Sequence, residues 1–282
     1  MPGVMTCGGL TLDLARPRLM GIVNVTPDSF SDGGRYADRD AAVAHARELV
    51  AAGADVLDIG GESTRPGAQE VPLEEELARV VPVVEALAAW GIPLSVDTRK
   101  AGVMRAVAQA GAHMINDVSA LEHDPEALAT VAEIGLPVCL MHMRGTPETM
   151  QSQVDYSDVV TEVRAYLADR AAQCRRAGIA AEHILIDPGI GFAKTVDQNL
   201  ALLHHLPRLA ELGYPVLVGS SRKSLVGKIL DRSVEDRMAG DSAVFAWAAA
   251  HGARLLRVHD VAAAHDAVRM TEALVAGRTV ET

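Results

Sequence analysis

Short apolar runs alternate along this chain with longer segments whose apolar residues recur at helical spacing. The runs are Leu19 to Val25, Val56 to Ile59, Pro93 to Val96, His113 to Ile115, Pro137 to Met141, His183 to Ile186, Pro215 to Val218 and Arg254 to Val258. They are continuous rather than alternating, which is the character of parallel strands covered on both faces. Between them, Val43, Ala46, Leu49 and Val50 form one helical stripe, Leu77, Val80, Val81, Val84 and Leu87 a second, and Val159, Val163, Leu167 and Ala171 a third. Helical patterns end at Gly53, Gly91, Gly111, Gly135, Gly178, Gly213 and Gly252, each followed within a few residues by a run. A helix often stops on a left-handed residue, and glycine adopts that conformation without a Cβ penalty.

Eight strand-helix units in succession predict an α/β fold closed as a (β/α)8 TIM barrel. An open doubly wound sheet is the alternative, and it usually carries GxGxxG after its first strand. Here that strand runs into Asn24-Val25-Thr26-Pro27-Asp28. Residues before Leu19 are predicted to pair as a short N-terminal β-hairpin, turning at Gly8 and Gly9 and closing the bottom of the barrel.

Composition narrows the function classes. The 282 residues, 49% of them apolar, are enough for a single domain spanning 1–282 with one large core. An aromatic content of 3% and a formal charge of −11, from 26 basic and 37 acidic side chains, argue against a nucleic-acid surface. A small anionic ligand remains compatible with that charge if basic side chains cluster locally. Cys7, Cys139 and Cys174 include no CxxC pair, so neither a disulfide framework nor structural zinc is expected, and they read as the reduced thiols of a cytoplasmic protein. No stretch approaches the roughly 18 apolar residues of a membrane span, and no charged side chain precedes Asp13, so a soluble, unprocessed chain is expected.

A barrel of this kind places its chemistry where the strands end. In order along the chain, those ends carry Asn24; Asp58 and Glu62-Ser63-Thr64-Arg65; Asp97; Asn116 and Asp117; His142 and Arg144; Asp187; Ser220, Ser221, Arg222 and Lys223; and Arg257 and His259. Each has a plainer reading. Asp97, Thr98 and Ser221 precede helices and are candidate N-caps at even odds with ligand binding. Asp187-Pro188-Gly189-Ile190-Gly191 reads equally as a turn. His45, His204, His205 and His251 lie in helical segments as ordinary histidines, Trp90 and Trp247 read as packing, and Met141 and Phe192 as core near the strand ends. Capping does not account for a polar group at every strand end. GxSxG, HExxH and Walker A motifs are missing. What remains is two carboxylates, an amide, a lysine and an anion-binding group of Arg65, Arg257 and His259.

Several of these strings resemble signatures of the dihydropteroate synthase family. Gly21-Ile22-Val23-Asn24-Val25-Thr26-Pro27-Asp28-Ser29-Phe30-Ser31-Asp32-Gly33-Gly34 is similar to its first signature, and Asp58-Ile59-Gly60-Gly61-Glu62-Ser63-Thr64-Arg65-Pro66-Gly67 to its second. Ser95-Val96-Asp97-Thr98, Ile115-Asn116-Asp117, Asp187-Pro188-Gly189-Ile190-Gly191-Phe192, Gly219-Ser220-Ser221-Arg222-Lys223-Ser224 and Arg257-Val258-His259-Asp260 follow in order, so the resemblance covers nearly the whole chain.

The resemblance implies a transferase of folate biosynthesis that joins 6-hydroxymethyl-7,8-dihydropterin pyrophosphate to p-aminobenzoate by a dissociative, SN1-like substitution. It implies Asp187 as the pterin anchor, Asp97 and Asn116 along the heterocycle, Lys223 on the pterin carbonyl or ring nitrogen, and Phe192 among the binding residues. It assigns Arg257 and His259 to the pyrophosphate and Asn24 to Mg2+. Thr64, Arg65, Pro66, Ser221 and Phe30 would form a p-aminobenzoate pocket that sulfonamides also enter. The loops Thr26 to Tyr36 and Gly61 to Glu70 would exclude water from a carbocation. A homodimer is expected on the same basis. The rivals are a non-catalytic pterin-binding paralogue and the methyltetrahydrofolate-binding barrel of corrinoid methyl transfer, which has no use for a pyrophosphate site.

Overall fold

The structure, a computed structural model, describes residues 3–26 and 34–279. The chain opens with β1 (Val4–Cys7) and β2 (Leu10–Asp13). The barrel strands are β3 (Arg18–Asn24), β4 (Val56–Gly60), β5 (Leu94–Asp97), β6 (Met114–Asp117), β7 (Val138–Met141), β8 (Ile184–Asp187), β9 (Val216–Val218) and β10 (Ala253–Val258). Between and after them lie α1 (Gly34–Ala51), α2 (Leu73–Leu87), α3 (Ala101–Ala110), α4 (Ala127–Ile134), α5 (Val159–Arg176), α6 (Val196–His204), α7 (Leu206–Ala210), α8 (Ser224–Leu230), α9 (Met238–Ala250) and α10 (Val261–Ala276). The eight barrel strands close in the order β10-β3-β4-β5-β6-β7-β8-β9, every pair parallel. The (β/α)8 expectation holds, and the glycines expected to end helices all have positive φ.

Period-2 alternation within the strands divides their side chains between two environments. Leu57, Ile59, Leu94, Val96, Ile115, Leu140, Ile184, Ile186, Val216 and Val218 point outward and pack with helical residues such as Val80, Val84, Val103, Val163 and Leu167. Met20, Val56, Met114, Cys139, Leu185, Leu217 and Leu255, one from each of seven strands, pack together in a separate cluster with Met5, Cys7, Leu12 and Leu14. Residues from so many strands of a closed barrel meet only in its interior. The hairpin therefore floors the barrel, as expected, and its turn at Gly8 and Gly9 has φ +52° and +92°. A Cβ on Gly8 would lie 3.0 Å from the His113 ring, just before β6, which fixes the hairpin at the end where strands begin.

Two details of the sequence reading need correction. Val50 is 37% exposed and does not belong to the buried stripe of α1. Trp247 is 43% exposed; its indole N–H donates to the Leu203 carbonyl at 2.9 Å and its ring stacks on His251, so it lies on the surface of α9. Truncating a floor residue tests the closure directly. Leu12→Ala is expected to cost about 2–5 kcal/mol, measured by urea denaturation, whereas Leu200→Ala on an exposed helical position should stay within about 0.5 kcal/mol.

Candidate active site

Above the apolar floor the interior turns polar. Asp58, with no exposure, accepts hydrogen bonds at one carboxylate oxygen from Arg257 Nε at 2.6 Å and Asn116 Nδ2 at 3.1 Å. Arg257 Nη2 donates to Asp97 Oδ2 at 3.0 Å. The four side chains come from β4, β6, β10 and β5, so the C-terminal ends of four strands are joined through one guanidinium. Burial works against the charge on Arg257, but Asp58 and Asp97 outweigh it and hold the proton more firmly than usual. Burial pushes the Asp97 carboxyl up to about 7, against Arg257 and with the added repulsion of Asp58 and Asp117.

Asp187, 6% exposed at the end of β8, accepts from the Gly189 N–H at 2.7 Å, so the expected turn exists and uses one of its oxygens. Burial raises its pKa against the attraction of Lys223. Lys223 donates to the Ile190 carbonyl, and its Nζ lies 4.2 Å from the Phe192 ring centroid. Burial and Arg257 pull the Lys223 amine down to about 7, opposed by Asp187 and Asp97. Asp97, Asn116, Asp187, Lys223, Phe192 and Arg257 thus share one mouth. Met141 and Phe192 pack with Val118, Met150 and Ala193 beside it.

His259 and Ser221 meet at the rim, where the His259 N–H donates to Ser221 Oγ at 3.2 Å and Nδ1 lies 3.0 Å from the same oxygen. Burial, then Arg222, Arg257, Arg65 and Lys223, push His259 down to about 3, so the ring is neutral within a field of four cations. Such a field attracts an anion despite the chain's acidic total. Thr64 is half-buried and Arg65 and Pro66 are exposed on the loop after β4. The Gly67 N–H of that loop donates to the Pro147 carbonyl at 3.0 Å, reaching the loop that follows β7. Asn24 is half-buried at the end of β3, and its side chain has no protein partner among the described residues. Phe30 and most of the expected loop Thr26 to Tyr36 lie outside the described residues.

Of the capping alternatives, Thr98 keeps a cap-like role, its Oγ1 accepting from the Lys100 N–H at 3.3 Å just before α3, whereas Asp97 and Ser221 do not cap. The N-cap of α3 is Lys100 and that of α8 is Lys223, neither with a side-chain cap bond, and Asp97 and Ser221 are engaged in the site instead. Sequence reasoning overlooked three features. Asp58 received no role there, although it joins Arg257 to Asn116. Glu62 accepts from Arg99, from Lys100 Nζ at 2.5 Å and from the Val71 N–H at 2.9 Å, while Lys100 also reaches Glu76 at 2.6 Å. That network ties both ends of the loop bearing Arg65 to the start of α3. Its sequence signals were Glu62 at the strand end and Glu76, a charge one turn before Val80 on the apolar face of α2. Lys194, 4% exposed beneath the Asp187 turn, gave no signal.

Residues 20–259 match the family of pterin binding enzymes. This chain belongs to that family. Its pterin-binding relatives include the dihydropteroate synthase of Escherichia coli (strain K12), 49% identical over 271 residues, which are 96% of each chain. A solved Xanthomonas albilineans dihydropteroate synthase with 4-aminobenzoic acid is 54% identical, with a TM-score of 0.92 over 97% of this chain and 98% of that one. A second structure of the Xanthomonas albilineans enzyme, in complex with 7,8-dihydropteroate, is 51% identical, with a TM-score of 0.87 over 96% and 98%.

The buried carboxyl of this pterin-binding barrel gives a pH prediction with a definite sign. Asp97 has its pKa raised from 3.8 to about 7 on folding. The folded chain therefore binds more protons than the unfolded one in that interval, and this contribution to stability is lost as pH rises through it. Asp97→Asn should remove that loss, so urea midpoints between roughly pH 5 and 7.5 should decline less with pH in the variant than in the wild type. Parallel profiles would show that Asp97 ionises as an ordinary carboxyl.

Proposed function

We propose that this barrel condenses 6-hydroxymethyl-7,8-dihydropterin pyrophosphate with p-aminobenzoate, releasing 7,8-dihydropteroate and pyrophosphate, the dihydropteroate synthase reaction of folate synthesis. The observation that carries the reading is the clustering of buried Asp97, Asn116 and Asp187 with Lys223 and Arg257 in one barrel mouth. A pterin presents adjacent N–H donors on its aminopyrimidine edge. Asp187, with one oxygen still without a partner among the described residues, is suited to accept from them. Asn116 and Asp97 supply further polar contacts along the ring, and Phe192 an apolar face. Lys223 donates to the pterin carbonyl or a ring nitrogen, and its charge offsets the carboxylates.

The bond that breaks joins the pterin methylene to the pyrophosphate oxygen, which leaves with the electron pair. Positive charge spreads from the methylene carbon into the electron-rich pterin, and negative charge grows on the leaving group, so the site must stabilise both ends. Asp97 and Asp187 lie at the pterin end; Arg257, His259 and Arg65 favour the departing anion. The p-aminobenzoate nitrogen then bonds to the carbon and gives up a proton to pyrophosphate or water. An arylamine is already unprotonated near neutral pH, so no strong general base is required. Thr64, Arg65, Pro66 and Ser221 would line the p-aminobenzoate side.

Magnesium belongs to the same reading. Magnesium keeps several of its waters and uses few protein ligands, so the ion would be held largely by substrate phosphates and water. The unpartnered amide of Asn24 at the mouth provides a hard oxygen ligand, and the ion would neutralise charge on the pyrophosphate. A homodimer and a cytoplasmic location complete the reading; the first rests on the resemblance, the second on three free, buried cysteines. Among the described residues no helix is long and apolar enough to cross a membrane.

Pyrophosphate release strongly accelerated by p-aminobenzoate, with matching formation of 7,8-dihydropteroate, is the expected result of a coupled assay, and release that p-aminobenzoate does not accelerate, or no release, would contradict the reading. Asp187→Asn removes the charged acceptor and is expected to cost about 1.5–3 kcal/mol of pterin binding, roughly a ten- to hundredfold rise in Kd. Calorimetry that finds unchanged binding would remove Asp187 from the anchoring role.

A further inference from the structure

The loop from Asp187 to Lys194 is folded around the ammonium group of its own last residue. Lys194 Nζ donates to the Phe192 carbonyl at 2.9 Å, to the Gly189 carbonyl at 3.1 Å and to the His142 carbonyl at 3.3 Å, and lies 3.0 Å from His142 Nδ1. The side chain is buried, which pulls the Lys194 amine down to about 7 against the attraction of Asp187, and burial also pushes His142 down to about 2, so its ring is neutral and Nδ1 is free to accept. Around this amine the backbone takes left-handed conformations, which cost little at glycine and more at alanine. Gly189 has φ +68°, Gly191 +86° and the non-glycine Ala193 +49°. A Cβ on Gly189 would fall 2.1 Å from the His142 carbonyl oxygen, so the turn is pressed against the end of β7. The strain at Ala193 persists only where surrounding contacts determine the conformation.

The same turn presents the groups assigned above to the pterin. Asp187 begins it, Phe192 lies two residues before Lys194, and the Ile190 carbonyl within it receives Lys223. Resting on the functional reading above, we propose that Lys194 is a positioning residue for the pterin half of the site. Without touching substrate, it gathers the Gly189, Phe192 and His142 carbonyls so that Asp187, Phe192 and Lys223 hold their places. The p-aminobenzoate side rests mainly on Thr64, Arg65 and Pro66 of the loop after β4, and the loop after β9 serves both sides through Ser221 and Lys223, so the influence of Lys194 falls chiefly on the pterin. A lysine that served only the stability of the barrel would have no such preference.

The test is steady-state kinetics on the full chain with each substrate varied in turn. Lys194→Met keeps the length of the side chain and removes the donors; it is expected to raise KM for dihydropterin pyrophosphate at least tenfold while KM for p-aminobenzoate stays within twofold. Lys194→Gln, which keeps an N–H donor, should recover part of the loss. A folded Met variant with both KM values unchanged, or both raised alike, overturns the proposal. If the Met variant does not fold, the Gln variant decides: a rise in the pterin KM alone supports the role, and an unchanged pterin KM removes it. A wild-type chain without condensing activity would remove the functional reading and this role together, whereas an active wild type beside unaffected variants removes this role alone.

Discussion

One guanidinium holds two carboxylates inside a closed barrel, and the mouth is arranged around it. Arg257 lies between Asp58, which has no exposure, and Asp97, which has almost none. Removing one partner from a buried pair of this kind typically costs about 3–5 kcal/mol, because the remaining charge is stranded away from water. Arg257 and Asp58 therefore depend on one another, and Asp97 adds a second acceptor for the same guanidinium. Since they arise from β10, β4 and β5, with Asn116 of β6 bonded to Asp58, the constraint fixes the ends of four strands relative to one another. A site for a flat heterocycle profits from that rigidity: polar groups already oriented and desolvated need not reorganise when charge develops.

The polar layer is possible because the rest of the interior is apolar. Seven strands contribute one side chain each to the lower cluster, and the hairpin seals it with Met5, Cys7 and Leu12. Water is thereby kept from the underside of the charged layer, and the field of the carboxylates, Lys223 and Arg257 is directed to the open end. The consequences are visible in the titration of the groups there: Asp97 moves up to about 7 and Lys223 down to about 7, each driven mainly by burial. Carboxylates and amines poised in this way at the mouth of a cleft mark functional sites more often than structural ones. The positive field around His259 sits at the same end, so the two kinds of recognition, of a heterocycle and of an anion, adjoin.

Much of this was legible in the chain itself. Glycine at the ends of helices and apolar runs after them located every barrel strand to within a residue or two, because the parallel strands are short and sealed on the helical side. What the runs concealed was their alternation. Asp58 sits between Leu57 and Ile59; the sequence places it among the polar groups of the strand ends but does not show that it joins Arg257 to Asn116 inside the barrel. The ambiguity of Asp97 and Ser221 between cap and site had a similar origin: both readings put a polar residue before a helix, and only the start of α3 at Ala101 and of α8 at Ser224 separates them. Lys194 was invisible for a stronger reason. Its partners are mostly backbone carbonyls, which leave no mark on residue identity.

The most direct measurement is calorimetric titration of dihydropterin pyrophosphate into Asp58→Asn. Asp58 is enclosed, so the substitution alters the charge beneath the site without removing a group that reaches substrate. If the compensated layer sets the geometry of the mouth, the variant remains folded and its affinity falls by at least tenfold as Arg257 and Asn116 lose the charge on their common acceptor. Affinity within twofold of the wild type, in a folded variant, would mean that the pterin site is held by its loops alone and that the buried charges are incidental to it.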